Sequence, residues 1–485
     1  MNAPPMRTEP VAPPHAMKAF DALTALWLGA GGEPGALQAV TLSGDAPVLP
    51  SSFAVDVAAQ ASIAAATLAA RELGRERGGP AQTVQVDRRH AAVAFRSERY
   101  LRVDGQPAPE LWDRIAGLYR CEGGWVRVHT NFPHHRDGVL RLLGCAHERD
   151  AVAAALARWR AEDFEQAAAE AGLVANALRS FAQWDAHAQG LAVAREPLLA
   201  FERLDDAAPR ALPPLALGAS PLAGLRVLDL TRIIAGPVAG RTLAAHGAEV
   251  LLVTAAHLPS VAPLVIDTGR GKRSTQLDLR TREGADALRA LVREADVVIR
   301  SYRPGALDAL GFSARAMAQL RPGLVVATLS AWGAQGPWAQ RRGFDSLVQA
   351  ASGFNLAEAE AAGDAQPRAL PAQALDHASG YLLALGALQA LRRRAHEGGS
   401  WHVRVSLART GLWLRSLGRV EQGFAVRDPG FDDVRDLLEE SDSGFGRLAA
   451  VRHAGGLAAT PARWVRPSVP LGTDASRWLS GPPPT

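Results

Sequence analysis

From residue 222 onward the hydrophobic pattern alternates between two kinds of segment. Short apolar runs at 225–230, 248–253, 296–299 and 324–329 read as strands, the first interrupted only by Arg226 and Asp229. Between them, 235–245, 285–294 and 314–320 carry apolar residues at helical spacing. Strands of this kind alternating with helices predict a parallel sheet covered on both faces. Such a sheet takes its ligand beyond the carboxyl ends of its strands. The first half reads as helix-rich with one compact α/β stretch. Pro209, Pro213, Pro214 and Pro221 then interrupt any regular element. After Gly418 the charge rises, and the end carries three consecutive prolines. The pattern predicts a flexible start (1–17), a partial α/β segment (18–109), a small domain (110–206), a linker (207–221), a large domain (222–418) and a C-terminal extension (419–485). The extension is expected to have little structure beyond about 465.

The two halves share a repeat. Residues 56–79 and 376–399 align without a gap, 320 residues apart, pairing Asp56 with Asp376, Leu68 with Leu388 and the closing Gly78-Gly79 with Gly398-Gly399. A leading Asp and a closing Gly-Gly mark the start and stop of a helix. With one residue deleted, Val84 and Val86 meet Val403 and Val405, an alternating strand after each helix. Nothing before Asp56 resembles the strand–helix series of the second half, so the first copy reads as partial.

Composition narrows the function. At 485 residues, 48% hydrophobic and 21% charged, the chain has the make-up of a soluble globular protein of two or three domains. No apolar run is long enough to span a membrane, and the N-terminus has no secretory apolar core, which predicts a cytoplasmic protein. Cys121 and Cys145 form neither a disulfide framework nor a zinc pattern. The net charge is +4, and every basic residue except Lys18 and Lys272 is arginine, with no Lys/Arg-rich block. Dispersed arginine argues against nucleic acid and for a small anionic ligand. Gly236-Pro237-Val238-Ala239-Gly240 after the first strand is not Gly-x-Gly-x-x-Gly, and Val253-Thr254 ends the second strand without an acidic residue. Both features disfavour a nicotinamide cofactor.

Five stretches in order carry a resemblance. They are 222–231 with Ala235-Gly236-Pro237; Gly271-Lys272-Arg273-Ser274 with Leu277-Asp278-Leu279; Arg303-Pro304-Gly305 with Leu310-Gly311; Gly333 and Gly336-Pro337 with 343–350; and Leu375-Asp376 with Gly380. Together they resemble the family III CoA transferases, the formyl-CoA and carnitine CoA-transferase group. In the first half, Gly123-Gly124-Trp125-Val126, Trp184-Asp185 and Gln189-Gly190 resemble the borders of that family's small domain. The resemblance implies an α/β fold: a doubly wound, Rossmann-like parallel-sheet large domain with a smaller α/β domain, here in partly duplicated, permuted order.

It also implies a chemistry: CoA moves from an acyl thioester to a carboxylic acid, with Asp376 as the nucleophile and no permanently bound cofactor or metal. Coenzyme A and acyl-CoA are then substrates, and a homodimer is expected, with neither nucleic acid nor membrane as partner. On local sequence alone, Asp376 reads as an N-cap, and the other landmarks turn that reading to the nucleophile; for Asp56 the cap reading is preferred. Gly236, Lys272, Arg273, Ser301, Tyr302, Arg303 and Gly333 are the expected CoA-binding residues. Arg270 could join them at the phosphates, and Gly336 and Gly343 could allow close approach or simply turn the chain. His129, His134 and His135 read as loop residues. Departures exist: 254–263 lacks the acidic residue and Gly-Asp segment usual there, and Ser301 stands where Asn is common. Two other readings stand beside the transferase. An acyl-CoA racemase would need a His before Asp345, where Phe344 stands. A catalytically silent acyl-CoA-binding or regulatory homologue would fit the missing landmarks.

Overall fold

The computed structural model describes residues 16–479. The flexible start expected over 1–17 lies, but for its last two residues, outside the described residues. Six parallel strands form the main sheet: Arg226–Leu230, Glu249–Thr254, Lys272–Gln276, Val297–Arg300, Val325–Ser330 and Trp401–Ser406. Numbered along the chain, they lie in the order 3-2-1-4-5-6, with Ala200–Arg203 added antiparallel to the last. This is the doubly wound order, in which the chain reverses direction between the first and fourth strands and opens a crevice at their carboxyl ends. The sheet core is built from fully buried Val227, Leu228, Val298, Val325, Val326 and Val403.

A smaller sheet with its own core lies in the first half. Gly117–Cys121, Gly124–Val128 and Ala175–Ala177 form a three-stranded antiparallel sheet. It packs under helices at Pro133–Leu143, Arg149–Leu156 and Ala161–Glu170 around its own core of Val126, Val139, Leu156 and Phe164. His134 and His135 begin the first of these helices, so they are not loop residues. Phe132 fixes the chain just before Pro133, whose ring suits a first helical turn.

The repeat becomes a pair of helices, Val55–Glu76 and Ala374–Glu397, packed against each other and buried on nearly every face. Alanine and glycine make this close approach possible, and a helix apolar all round belongs inside a core. Each copy runs strand, helix, strand: Val40–Ser43 pairs in parallel with Val84–Asp87, as Val325–Ser330 does with Trp401–Ser406. The short strand before Asp56 does resemble its counterpart, Thr41-Leu42-Ser43 against Thr328-Leu329-Ser330, so the first copy begins earlier than the sequence reading placed it.

The C-terminal part is a correction to the expectation of a loose tail. Residues 463–479 form no helix or strand, yet they are bound along the main sheet. Gly271 N donates to Arg466 O (2.9 Å), Asp474 N to Ser274 O (2.7 Å), and buried Trp478 donates to Leu291 O (3.1 Å). The strap thereby covers the exposed edge at Lys272–Gln276, where unpaired strand groups would otherwise invite association. Upstream, Leu438–Ser443 pairs with Gly446–Val451, which in turn pairs with Arg102–Val103, tying the end of the chain to its first half.

Candidate active site

Asp376 lies in the first turn of Ala374–Glu397, but it does not cap that helix. The capping task falls to Asp345, at the start of the short helix Asp345–Ala351. Its Oδ2 accepts from Leu375 N (2.8 Å) and Asp376 N (2.9 Å), two of the donors that a helix start leaves open. Gln349 donates to the other oxygen of Asp345 and accepts from Leu370 N (2.9 Å), fixing the loop before the helix. The Asp376 carboxylate thus takes no hydrogen bond among the described residues. It is 7% exposed. Burial, then the charges of Asp345 and Glu98, hold its pKa well above the usual carboxylate range. Burial likewise pushes Asp345 up to about 6, against its hydrogen bonds.

Two cavities meet at Asp376. One, of about 320 Å³, lies at the reversal point of the sheet between the loops after its first and fourth strands. It is lined by Arg232, Arg303, Arg341 and Arg342, none of which belongs to an ion pair among the described residues. Burial pushes the Tyr302 phenol on its wall up to about 12, so this group is a neutral donor near pH 7. The other cavity, of about 460 Å³, lies between Asp376 and residues 96–131 of the first half. Ile233, Ile234, Phe344 and Asp376 line both. His129 stacks on Phe344 with ring centroids 4.0 Å apart and planes 7° apart. Burial and neighbouring Arg127 and His135 lower its pKa to about 3, so it is uncharged. Beside Asp376, His377 Nε2 meets Glu98 Oε2 at 3.1 Å, joining the two halves within the buried region.

The structure divides the expected CoA-binding residues. Ser301, Tyr302 and Arg303 line the arginine-rich cavity. Gly333, with φ +94°, lines an adjoining cleft of about 260 Å³ that shares Tyr302 and Arg303. Gly236 lines none of the cavities. A Cβ there would stand 2.5 Å from Thr231 Cβ, so its absence lets Ala235–Ala245 pack onto the strand ends. Lys272 and Arg273 are corrections, because neither reaches a cavity. Lys272 Nζ is buried against Asp229 Oδ2 (2.7 Å) and Pro237 O (2.8 Å). Arg273 holds the strap through Asp474 Oδ1 (3.3 Å) and Arg477 O (2.6 Å). Arg270 is spent similarly, on Asp267 (2.8 Å) and on the ring of Trp464 at 4.1 Å. Basic residues beside a family landmark thus hold the fold. Arg232, Arg341 and Arg342, which sequence reasoning passed over, face the cavity instead. Their placement after strand ends was the available signal.

Asp56 is 6% exposed and lines none of these cavities. Its helix begins after Ala54, and its Oδ2 accepts from Val48 N (2.7 Å), a loop contact in place of the expected helix cap. Among the described residues, no group of three or more His, Cys, Asp or Glu side chains is placed to hold a metal ion, and no helix is long and apolar enough to cross a membrane.

Comparison with known proteins adds the following. A family model described as CoA-transferase family III matches residues 17–208 and 222–432. An acyl-CoA transferase of Gibberella moniliformis is 29% identical over 366 residues, covering 67% of this chain and 64% of the relative. A probable fatty acyl-CoA transferase of Mycobacterium tuberculosis, Rv3272, is 35% identical over 42% of this chain and 54% of its own. The succinate–glutarate CoA-transferase of Agrobacterium fabrum is 34% identical over 39% of this chain and 51% of its own. The crystal structure of Rv3272 superposes with a TM-score of 0.36 over 41% of this chain and 57% of that one. The chain therefore spans about half to two thirds of the length of these relatives.

Proposed function

For a chain that belongs to CoA-transferase family III, we propose the transfer of coenzyme A from an acyl-CoA thioester to a carboxylic acid, with Asp376 as covalent nucleophile. The observation that carries this reading is the position of the Asp376 carboxylate. It is buried and takes no hydrogen bond among the described residues, at the junction of an arginine-lined cavity and a second, larger one. A carboxylate used only as a cap would be spent on backbone donors, and Asp345 already fills that role.

The chemistry balances without an external reagent. An Asp376 oxygen attacks the thioester carbonyl, the C–S bond breaks, and CoA leaves as thiolate from an acyl–aspartyl anhydride. The thiolate attacks Cγ of Asp376, releasing the first acid as carboxylate and leaving an aspartyl–CoA thioester. The incoming carboxylate attacks Cγ, again expelling thiolate, and gives a new anhydride. Thiolate attack on the new acyl carbonyl then returns the Asp376 carboxylate and the product thioester. Each step exchanges one activated acyl group for another of comparable energy. A desolvated carboxylate is a stronger nucleophile than one bound by water, and the elevated pKa is the equilibrium expression of that desolvation.

Arg232, Arg303, Arg341 and Arg342 are assigned to the CoA phosphates, since guanidinium groups without acidic partners suit phosphate oxygens. Ser301, Tyr302 and Gly333 line the same path. Lys272 and Arg273 have no part in it. Hydroxylamine added during turnover tests the covalent step. It should leave a hydroxamate on the peptide containing Asp376, and a label on the Asp56 peptide, or on neither, would reject the assignment. Arg342→Ala should raise the KM for acyl-CoA about tenfold with a smaller change in kcat, as expected for loss of one charge-assisted contact.

A further inference from the structure

The larger cavity beside Asp376 says what kind of acid the site takes. Its walls combine buried Ile234, Leu264 and Leu370 with half-buried Leu111, Trp112 and Val261. At about 460 Å³ it holds the space of roughly fifteen waters at ~30 Å³ each, far more than a two- to four-carbon acid fills. The charged groups on its wall are already engaged. Arg96 makes a two-pronged pair with Asp428, and Arg99 shares the same carboxylate at 3.2 Å. Glu98 is held by His377 at 3.1 Å. Glu110 stands at the exposed mouth. Asn131 is equally committed, accepting from Asp113 N (3.0 Å) and donating to Leu111 O (2.8 Å). Of the lining polar atoms, Arg96 Nε and His129 Nδ1 are buried without a partner. Uncharged His129 suits a neutral oxygen substituent, whereas Arg96 Nε can donate to any oxygen acceptor.

Resting on the transferase reading, we propose that this chamber receives the acyl body, and that the substrate is a bulky, largely apolar monocarboxylic acid (aryl or medium-chain alkyl) rather than a small dicarboxylate. The physical reason is an asymmetry of costs. Apolar walls reward each buried methylene. A second carboxylate would enter a site whose two lining cations, Arg96 and Arg99, already pair with Asp428 among the described residues, and where Asp376 and Glu98 repel it, and would lose hydration for little return. The chamber is shared between the halves of the chain: Leu111, Trp112, His129 and Asn131 come from the first, and Ile234, Val261, Leu264 and Leu370 from the second. The first half is therefore assigned a share in the choice of acid, while the nucleophile and the cavity arginines come from the second.

Symmetric exchange tests this without knowledge of the natural donor. Decanoyl-CoA is incubated with ¹³C-decanoate, phenylpropanoyl-CoA with its labelled acid, and succinyl-CoA with ¹³C-succinate, and label in the thioester is read by mass spectrometry. The expected result is a kcat/KM at least about 100-fold higher for the two apolar acids than for succinate. Leu111→Trp, which fills the chamber, should lower exchange of decanoate about tenfold more than that of butyrate. Binding of decanoate and succinate by calorimetry supplies a readout independent of turnover. Preference for succinate, or a Leu111→Trp variant that weakens all acids equally, overturns the chamber assignment while leaving the transferase standing. Decanoate binding that Leu111→Trp weakens, with no exchange of any acid, keeps the chamber and overturns the transferase. Absence of both binding and exchange overturns both.

Discussion

At the scale of single residues, the site rests on a division of labour between two aspartates. Asp345 satisfies the helix start and leaves Asp376 unbound, so the two should respond differently to change. Asp376→Asn should reduce exchange by about 10³-fold or more, because the amide keeps the shape and loses the nucleophile. Its effect on stability runs the other way. The folded-state pKa is raised, so ionisation opposes folding: stability is fully present below the unfolded value near 3.8 and falls as pH rises through the folded value. At pH 8 the Asn variant should melt above the parent, by at most about 2–4 °C for each kcal/mol relieved, with the gap closing as pH falls toward 4. Catalysis needs the ionised form, so kcat/KM should rise with pH through a midpoint well above the ~3.9 of a free aspartate. A midpoint near 4 would show a carboxylate that is not desolvated. Lys272→Ala, in contrast, should leave the KM for CoA thioesters unaltered in any soluble protein. It should cost about 3–5 kcal/mol of stability by stranding Asp229.

At the scale of elements, the long helix Ala374–Glu397 carries the nucleophile at one end and is wedged among three partners. It packs on Val55–Glu76, on Ala235–Ala245 and on the last parallel strands. Gly380 marks the tightest crossing: a Cβ there would stand 2.6 Å from Ala235 O and 2.8 Å from Val238 Cβ. Because the opposing atom is backbone, the helices must separate to admit even a methyl. Gly380→Ala should therefore destabilise by about 1–3 kcal/mol. It should also lower kcat, since it displaces Asp376 relative to the loop at Ile233 and Ile234. Loss of stability with unchanged kcat would show that the nucleophile tolerates movement of its own helix.

For the whole molecule, the decisive feature is that one chain supplies both walls of the site. The sheet domain brings Asp376 and the arginines, and the first half brings the opposite wall. Specific activity should accordingly stay constant on dilution, read by exchange assays across a wide range of protein concentration. A fragment of residues 216–485 should fail to fold cooperatively. It would expose the face of Ala374–Glu397 that Val55–Glu76 covers, and it would lose the strand partner of Gly446–Val451 at residues 102–103. Circular dichroism melting and size exclusion would reveal this, and co-expression with residues 1–215 should restore a compact, active species. A stable and active 216–485 fragment would remove the case for a shared site.

Much was legible before any coordinates. Alternating apolar runs and helical spacing specify the doubly wound sheet, because a strand buried on both faces can hardly be written any other way. The ordered glycines and Leu375-Asp376 point to the family, and the 320-residue repeat locates the helix pair. These features depend on neighbours in sequence or on a pattern along it. Tertiary structure alone decided what each charge does. Lys272, Arg273 and Arg270 stand beside a family landmark yet are consumed by Asp229, by the strap and by Asp267. Arg232, Arg341 and Arg342 also border landmarks, yet they line the cavity with no acidic partner among the described residues, Arg341 donating to Gln166 and Arg342 to Gly172 O. The same holds for Asp376 and Asp56, which occupy matching positions of the repeat. One is freed because Asp345, 31 residues earlier, takes its backbone duty; the other lies in a partial copy and is spent on Val48. A side chain's local sequence fixes its backbone, but its partners come from distant segments, and the partners determine whether a charge builds the fold or serves the site.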